Sequence, residues 1–224
     1  MSIILFLSGM IVLAFYIQEK IRGYTLKAAF LKTAVSMLFV AVAVTAFSSA
    51  RIAPFVIMGL IFGLLGDIWL DLKYVFPSHD NTFTYAGFSV FGIGHILYVS
   101  GLLFQYGAGI YLFASFALAG ISTALVSFLE KPMKLAYGKM KPIVLIYGFL
   151  LFSTVFVSGA LLILHMAPAL WMVFIGSALF AVSDLVLSGT YFGKGKDRPV
   201  DIICNYLTYY PGQFLIAYSL TLLK

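Results

Sequence analysis

Gly59-Leu-Ile-Phe-Gly63-Leu-Leu-Gly66-Asp67-Ile-Trp-Leu70 places one carboxylate inside an otherwise apolar, glycine-studded run. Gly59, Gly63, Asp67 and Asp71 follow one another at i+4, so on a helix they share one side. Glycines on that side let a neighbouring helix approach closely, which aims Asp67 into a helix bundle rather than into lipid. The pattern returns later as Gly176-Ser-Ala-Leu-Phe-Ala-Val-Ser183-Asp184-Leu-Val-Leu187, with Gly176, Phe180, Asp184 and Ser188 forming the corresponding stripe. In both copies a Gly lies eight residues before the Asp, a tiny residue just before it and a Leu three after. The next apolar stretch of each half carries Gly-polar, Gly94-His95 and Gly212-Gln213, at Asp-to-polar spacings of 28 and 29 residues.

Working outward, apolar stretches fall at 2–17, 26–47, 52–72, 83–103, 107–128, 142–164, 168–189 and 202–222. A helical span needs about 20 apolar residues, so eight spans and their short loops fill the 224 residues. The composition agrees: 62% hydrophobic and 10% charged excludes both an ordinary soluble globule and disorder. The expected fold is all-α, a single transmembrane domain over 1–224 with eight transmembrane helices. The two Asp motifs suggest duplication of a four-helix unit, 1–103 and 107–224. Four spans return the chain to its starting side, so the copies are parallel rather than inverted. The first stretch has Glu19, Lys20 and Arg22 after it and no basic segment before it, the reverse of a cleaved signal peptide, and is expected to be a retained helix. The single cysteine, Cys204, forms no intrachain disulfide and fits no thiolate metal motif.

Fourteen Lys and Arg give a net charge of +6, and their distribution reads as topology rather than as nucleic-acid binding. Twelve follow spans 1, 3, 5 and 7: Lys20, Arg22, Lys27, Lys32, Lys73, Lys131, Lys134, Lys139, Lys141, Lys194, Lys196 and Arg198. Only Arg51 and Lys224 fall on the other side. By the positive-inside rule the odd loops are cytoplasmic and both termini lie outside. Some of these lysines could also hold a lipid phosphate near the cytoplasmic leaflet. A bacterial inner membrane is the expected location.

Of the eight acidic residues, Glu19, Asp80, Glu130, Asp197 and Asp201 sit in loops or at helix ends, where solvation accounts for them. Asp71, at the cytoplasmic end of span 3, is expected to face headgroups or Lys73. Asp67 and Asp184 lie about five residues inside that end, roughly 7–8 Å deep at 1.5 Å per residue. An Asp deep in a span costs about 2.5–3.5 kcal/mol even on the lower insertion scale. Such a residue is kept for a partner, a pathway or chemistry, the structural alternative being an interhelical hydrogen bond. His95 lies in mid-span with Tyr98 one turn on. Span 8 is unusually polar, with Asn205, Tyr206, Tyr209, Tyr210 and Gln213. There Tyr206, Tyr210 and Gln213 share a face, and Pro211 frees the carbonyl of Leu207, which predicts a kink. No Gly-x-Ser-x-Gly elbow or P-loop occurs. A zinc site would need about three ligands, and His79 and His165 lie away from the Asp pair, so no metal and no cofactor are expected. The Gly-x-Gly-Asp and Tyr-Asp patterns of intramembrane aspartyl proteases are not met.

Gly63-Leu-Leu-Gly66-Asp67, Gly94-His95-Ile-Leu-Tyr98, Ala178-Leu-Phe-Ala-Val-Ser183-Asp184 and Tyr210-Pro-Gly-Gln213-Phe-Leu-Ile together resemble the YhhN-like lysoplasmalogenase family. The resemblance runs from span 3 to span 8. It departs at Pro211-Gly212, where a small apolar residue is expected before the Gln. It implies a membrane hydrolase that splits the vinyl ether of lysoplasmenyl-ethanolamine or -choline into a fatty aldehyde and a glycerophospho-alcohol. The partners would then be a lysophospholipid and the bilayer.

The residues are compatible with that chemistry. Protonating the alkene carbon creates an oxocarbenium-like cation, which water captures as a hemiacetal that then collapses. One carboxylic acid must donate while a carboxylate stabilises the cation or activates water. Two carboxyls sharing a poorly solvated site divide such roles. Asp67 and Asp184 are the expected pair, in unassigned order, with His95, Tyr210, Gln213 and Asn205 orienting substrate or water. The site would open toward the cytoplasmic side, near the level of a lysolipid's sn-1 linkage. A different class, a small-solute or proton-coupled transporter, would also use repeats, glycine-rich helices and paired intramembrane Asp.

Overall fold

The computed structural model describes residues 1–23, 26–47, 49–193 and 198–223. Lys194, Lys196, Asp197 and Lys224, which entered the charge reading, lie outside the described residues. Among the described residues eight long helices follow one another: α1 (Ser2–Arg22), α2 (Leu26–Thr45), α3 (Ala53–Val75), α4 (Asp80–Tyr106), α5 (Tyr111–Leu129), α6 (Lys141–His165), α7 (Pro168–Phe192) and α8 (Pro199–Tyr218). Each coincides with one of the eight apolar stretches. The boundaries move where polar residues prolong a helix. α1 runs on to Arg22 and carries Lys20 and Arg22 in its last turn, where cations complement the helix C-terminus. α8 starts three residues early because Arg198 and Asp201 close its first turn. The Asp201 carboxylate accepts from the Arg198 backbone N–H (3.3 Å), Nε (2.9 Å) and Nη2 (3.0 Å). Proline opens α3, α6, α7 and α8, at positions where its missing N–H loses no helical bond. α8 continues through Pro211.

Seven of the helices, α1–α7, are long and apolar enough to cross a membrane. α8 is the exception because of its polar residues, yet Asn205, Tyr206, Tyr209, Tyr210 and Gln213 are all buried. It packs mainly on α7 and also touches α1, α2 and α3, so its polar side chains face the bundle interior. Large apolar side chains face outward instead, among them Ile4, Leu7 and Ile11 of α1 and Phe113, Ile121 and Phe128 of α5. Polar residues inside and apolar residues outside are what an integral membrane protein requires.

Glycine lets two pairs of helices approach closely. A Cβ on Gly94 would lie 3.1 Å from the carbonyl oxygen of Gly59, bringing α4 against α3. A Cβ on Gly212 would lie 2.6 Å from the carbonyl oxygen of Gly176, bringing α8 against α7. These four glycines occupy matching positions of the two Asp motifs and of the Gly-polar steps that follow them. Each motif glycine thus gives its backbone to the helix that carries the next polar residue.

Candidate functional site

The i+4 stripe of α3 is buried throughout: Gly59, Gly63, Asp67 and Asp71 all face inward. Three polar side chains from other helices fill the space beside it. The Tyr98 hydroxyl donates to Gln213 Oε1 (3.2 Å), Gln213 Nε2 donates to the Tyr209 hydroxyl (3.3 Å), and Tyr209 donates to Asp67 Oδ2 (2.8 Å). The glycines make room for this chain of bonds. A Cβ on Gly59 would meet the Tyr98 ring at 2.3 Å, and one on Gly63 would meet Gln213 Nε2 at 2.8 Å. Every donor in the chain points toward the Asp67 carboxylate, so the bonds polarise one another in a single direction.

Asp67 has two further partners, both from α2. Ser36 Oγ donates to Oδ2 (2.7 Å), and Lys32 Nζ lies 3.4 Å from Oδ1. The same ammonium donates to Asp71 Oδ1 at 3.0 Å. Lys32 is only 4% exposed. This corrects two expectations. Lys32 is not a loop lysine but a cation inside the bundle, nearly two turns into α2. Asp71 does not face headgroups; it is 5% exposed and shares Lys32 with Asp67. Lys73 instead approaches Asp80 (3.8 Å). The physical cause is spacing: Lys32 and Ser36 are an i+4 pair on α2 facing the Asp67/Asp71 i+4 pair on α3. A buried charge must find a partner, and these residues supply it to each other.

Asp184 sits in different company. Its carboxylate accepts from the Tyr147 hydroxyl of α6. Among the described residues it has no other hydrogen-bond donor and no cation in contact. The preceding Ser183 is held by Asn205, whose Nδ2 donates to the Ser183 carbonyl (2.9 Å) and hydroxyl (3.0 Å). Asp67 and Asp184 nevertheless line one cavity, together with Lys32, Tyr147, Asn205 and Tyr209. It is narrow, about 20 Å³, which is room for about one water molecule. On its other side Asp184 also lines an apolar groove between α5, α6 and α7, walled by Val126, Val144, Leu151, Phe152 and Leu185.

The remaining sequence-predicted residues land at different distances from the pair. Asn205 lines the shared cavity. Gln213 reaches Asp67 through Tyr209. Tyr210 lies beside Asp67's support, its hydroxyl 3.4 Å from Ser36 Oγ and from the Lys32 carbonyl. His95 is 1% exposed, bonded through Nδ1 to Thr154 (3.1 Å), with its ring 5.7 Å from that of Tyr147. Among the described residues Nε2 has no hydrogen-bond partner. It stands one layer behind the carboxyl that Tyr147 holds. Lys32, Ser36, Asp71, Tyr147 and Tyr209 were not singled out for the site. Signals existed for three of them: Asp71 is on the Asp67 stripe, Tyr209 is i−4 from Gln213, and Lys32 lies inside an apolar stretch. Tyr147 carries no such signal. No group of three or more His, Cys, Asp or Glu that could hold a metal ion gathers among the described residues.

The arrangement therefore offers one carboxylate fixed by a cation and two hydroxyl donors, and one carboxyl bonded only to a tyrosine. Both face the same narrow space, beside an apolar groove. The sequence model of the YhhN family matches residues 27–220, a range that takes in every residue of this site. No curated protein and no solved structure matches the chain.

Proposed function

Because the chain belongs to the YhhN family, we propose that it is a membrane hydrolase that cleaves the vinyl ether of lysoplasmalogens by acid–base catalysis between Asp184 and Asp67. The observation that carries this reading is the shared cavity, in which two carboxyls stand in unequal surroundings. Asp67, held by Lys32, Ser36 and Tyr209, is the permanent anion. Asp184, beside the apolar groove and not in contact with any described cation, is the proton donor.

The reaction then runs in balance. Asp184 gives its proton to the chain-side carbon of the double bond, leaving an oxocarbenium ion whose charge faces the Asp67 carboxylate. Fixed charges aimed at developing charge in a dry site are usually the largest single contribution to catalysis. A water molecule adds to the carbon attached to oxygen, and its proton returns to Asp184. The hemiacetal collapses as Asp184 passes a proton from its hydroxyl to the departing glycerol oxygen, releasing aldehyde and glycerophospho-alcohol. One water is consumed and Asp184 ends protonated as it began. Asp67 keeps its partners throughout, since both of its oxygens are already engaged.

In this reading α8 spans the bilayer with the other seven helices, its polar residues being turned inward. The termini lie outside and the site opens toward the cytoplasm. The matched glycine approaches of α3/α4 and α7/α8 support the four-helix duplication.

The test is aldehyde release by the purified full-length protein in detergent, from lysoplasmenyl-ethanolamine and from its saturated-ether analogue. Aldehyde from the first substrate alone is expected. A folded protein that yields none with any of several headgroups overturns the proposal and leaves the transporter class. The glycine stripe gives a finer check. Gly63→Ala pushes Gln213 aside, removing the bond that orients Tyr209, while Gln213 is flexible enough for the fold to survive. Small misplacements of supporting groups cost up to about 10²-fold. We expect kcat to fall about ten- to a hundredfold with little loss of thermal stability, and unchanged kcat would remove the Gln213–Tyr209 chain from the mechanism.

A further inference from the structure

Tyr191, near the end of α7, lines the cavity shared by Asp67 and Asp184 and also a second, larger cavity of about 390 Å³. The second cavity carries Lys73, Lys139, Asp80 and Asn81 on its walls. Lys73 Nζ lies 3.3 Å from the centre of the Tyr191 ring, so the ring and the ammonium mark the boundary between the two spaces. The Tyr85 hydroxyl donates to the Lys139 backbone carbonyl (2.6 Å), and the Ala136 N–H donates to the Phe192 carbonyl (2.9 Å). These bonds tie the segment before α6 to α4 and to the end of α7, which gives the cavity a built wall. Tyr137 and Phe192 line both this cavity and the apolar groove that reaches Asp184.

Resting on the proposed hydrolysis, we propose that this cavity is the headgroup subsite, binding the phosphate of the lysophospholipid between Lys73 and Lys139. The meeting of three surfaces carries the inference. The apolar groove, the cavity of the paired carboxyls and the polar cavity with two lysines adjoin one another, and they match in kind the alkenyl chain, the ether and the phosphate of the substrate. The spacing agrees. Lys73 is six residues beyond Asp67 on α3, a rise of about 9 Å, the reach of a glycerol backbone carrying a phosphoester. Lysine ammoniums suit a phosphate as point charges. Asp80, 3.8 Å from Lys73 Nζ and largely exposed, is the carboxylate that a headgroup ammonium meets when the phosphate takes its place on Lys73, which favours a zwitterionic head.

The experiment measures binding by calorimetry, so that it does not depend on turnover. The full-length protein in detergent is titrated with 1-alkyl-glycerophosphoethanolamine, whose saturated ether is not cleaved, with phosphate-free 1-alkylglycerol, and with chain-free glycerophosphoethanolamine. Lys73→Met/Lys139→Met is expected to weaken the phospholipid about tenfold or more, as loss of charge-assisted bonds would, while 1-alkylglycerol binds as before. Lys139→Met alone, at an exposed position, guards against misfolding and is expected to show a smaller loss in the same direction. If the double variant binds the phospholipid as the parent does, or if both ligands weaken equally in both variants, the subsite is overturned. Equal affinity for glycerophosphoethanolamine and for the full lipid would overturn it in favour of a free phosphoester site. If the parent fails to hydrolyse any vinyl ether yet shows lysine-dependent phospholipid binding, the hydrolase reading falls and the subsite stands.

Discussion

Asp184→Asn is expected to abolish aldehyde release while leaving substrate binding intact. The amide is close in shape to the carboxyl, and its oxygen can still accept from the Tyr147 hydroxyl that Asp184 accepts from. What it lacks is a proton that can be delivered to carbon. General acid catalysis contributes about 10²–10⁴-fold, and here the same group also takes the proton from water and hands one to the leaving oxygen. The fall in kcat should therefore reach the upper part of that range, with KM nearly unchanged, the signature of an interaction used only in the transition state. The check is steady-state aldehyde release alongside calorimetric binding of the saturated ether. Activity within about tenfold of the parent would remove Asp184 as the acid. The companion Asp67→Asn keeps an oxygen that accepts from Ser36 and Tyr209 but removes the anion facing the cation. Its loss should also appear in kcat.

Much of this was legible in the sequence, for a reason that follows from the membrane. An apolar surround makes every intramembrane polar residue conspicuous, and the i+4 stripe Gly59–Gly63–Asp67–Asp71 fixes both an inward face and a close neighbour. The eight helices and the inward aim of Asp67 could be read from these patterns alone. The burial of Lys32 is not legible in the sequence, because a lysine near a span's end reads first as a loop residue and a marker of topology. Only contact with α3 reveals that its ammonium is turned inward between two carboxylates. Tyr209 was passed over for Tyr210 because adjacent tyrosines differ by about 100° around a helix at 3.6 residues per turn, and the sequence does not say which of the two faces α3. Tyr147 was invisible for a plainer reason: a tyrosine in a span is ordinary until its hydroxyl is seen on Asp184. Pairings between helices distant in sequence depend on rotation and depth, which local spacing does not carry.

Lys32→Met is expected to be the most destabilising single change in the site. Methionine fills similar space in α2 but carries no charge, so Asp67 and Asp71, one turn apart on α3 and both buried, lose the cation they share. Breaking a buried ion pair by removing one partner costs about 3–5 kcal/mol, because the remaining charge stays uncompensated; here two carboxylates are left facing one space. Thermal unfolding in detergent should show the loss, and hydrolysis should fall with it because the anion opposite the substrate is no longer held in place. Stability and catalysis can be separated by a second substitution. Lys32→Met/Asp71→Asn removes one of the stranded charges and should recover much of the lost stability, since contacting charges do not act additively. It should not recover activity, because Asp67 still lacks Lys32. A double variant no more stable than Lys32→Met would show that Asp71 does not share the ammonium. One that regained full turnover would show that Lys32 serves the fold alone and that Asp67 needs no cation to do its work.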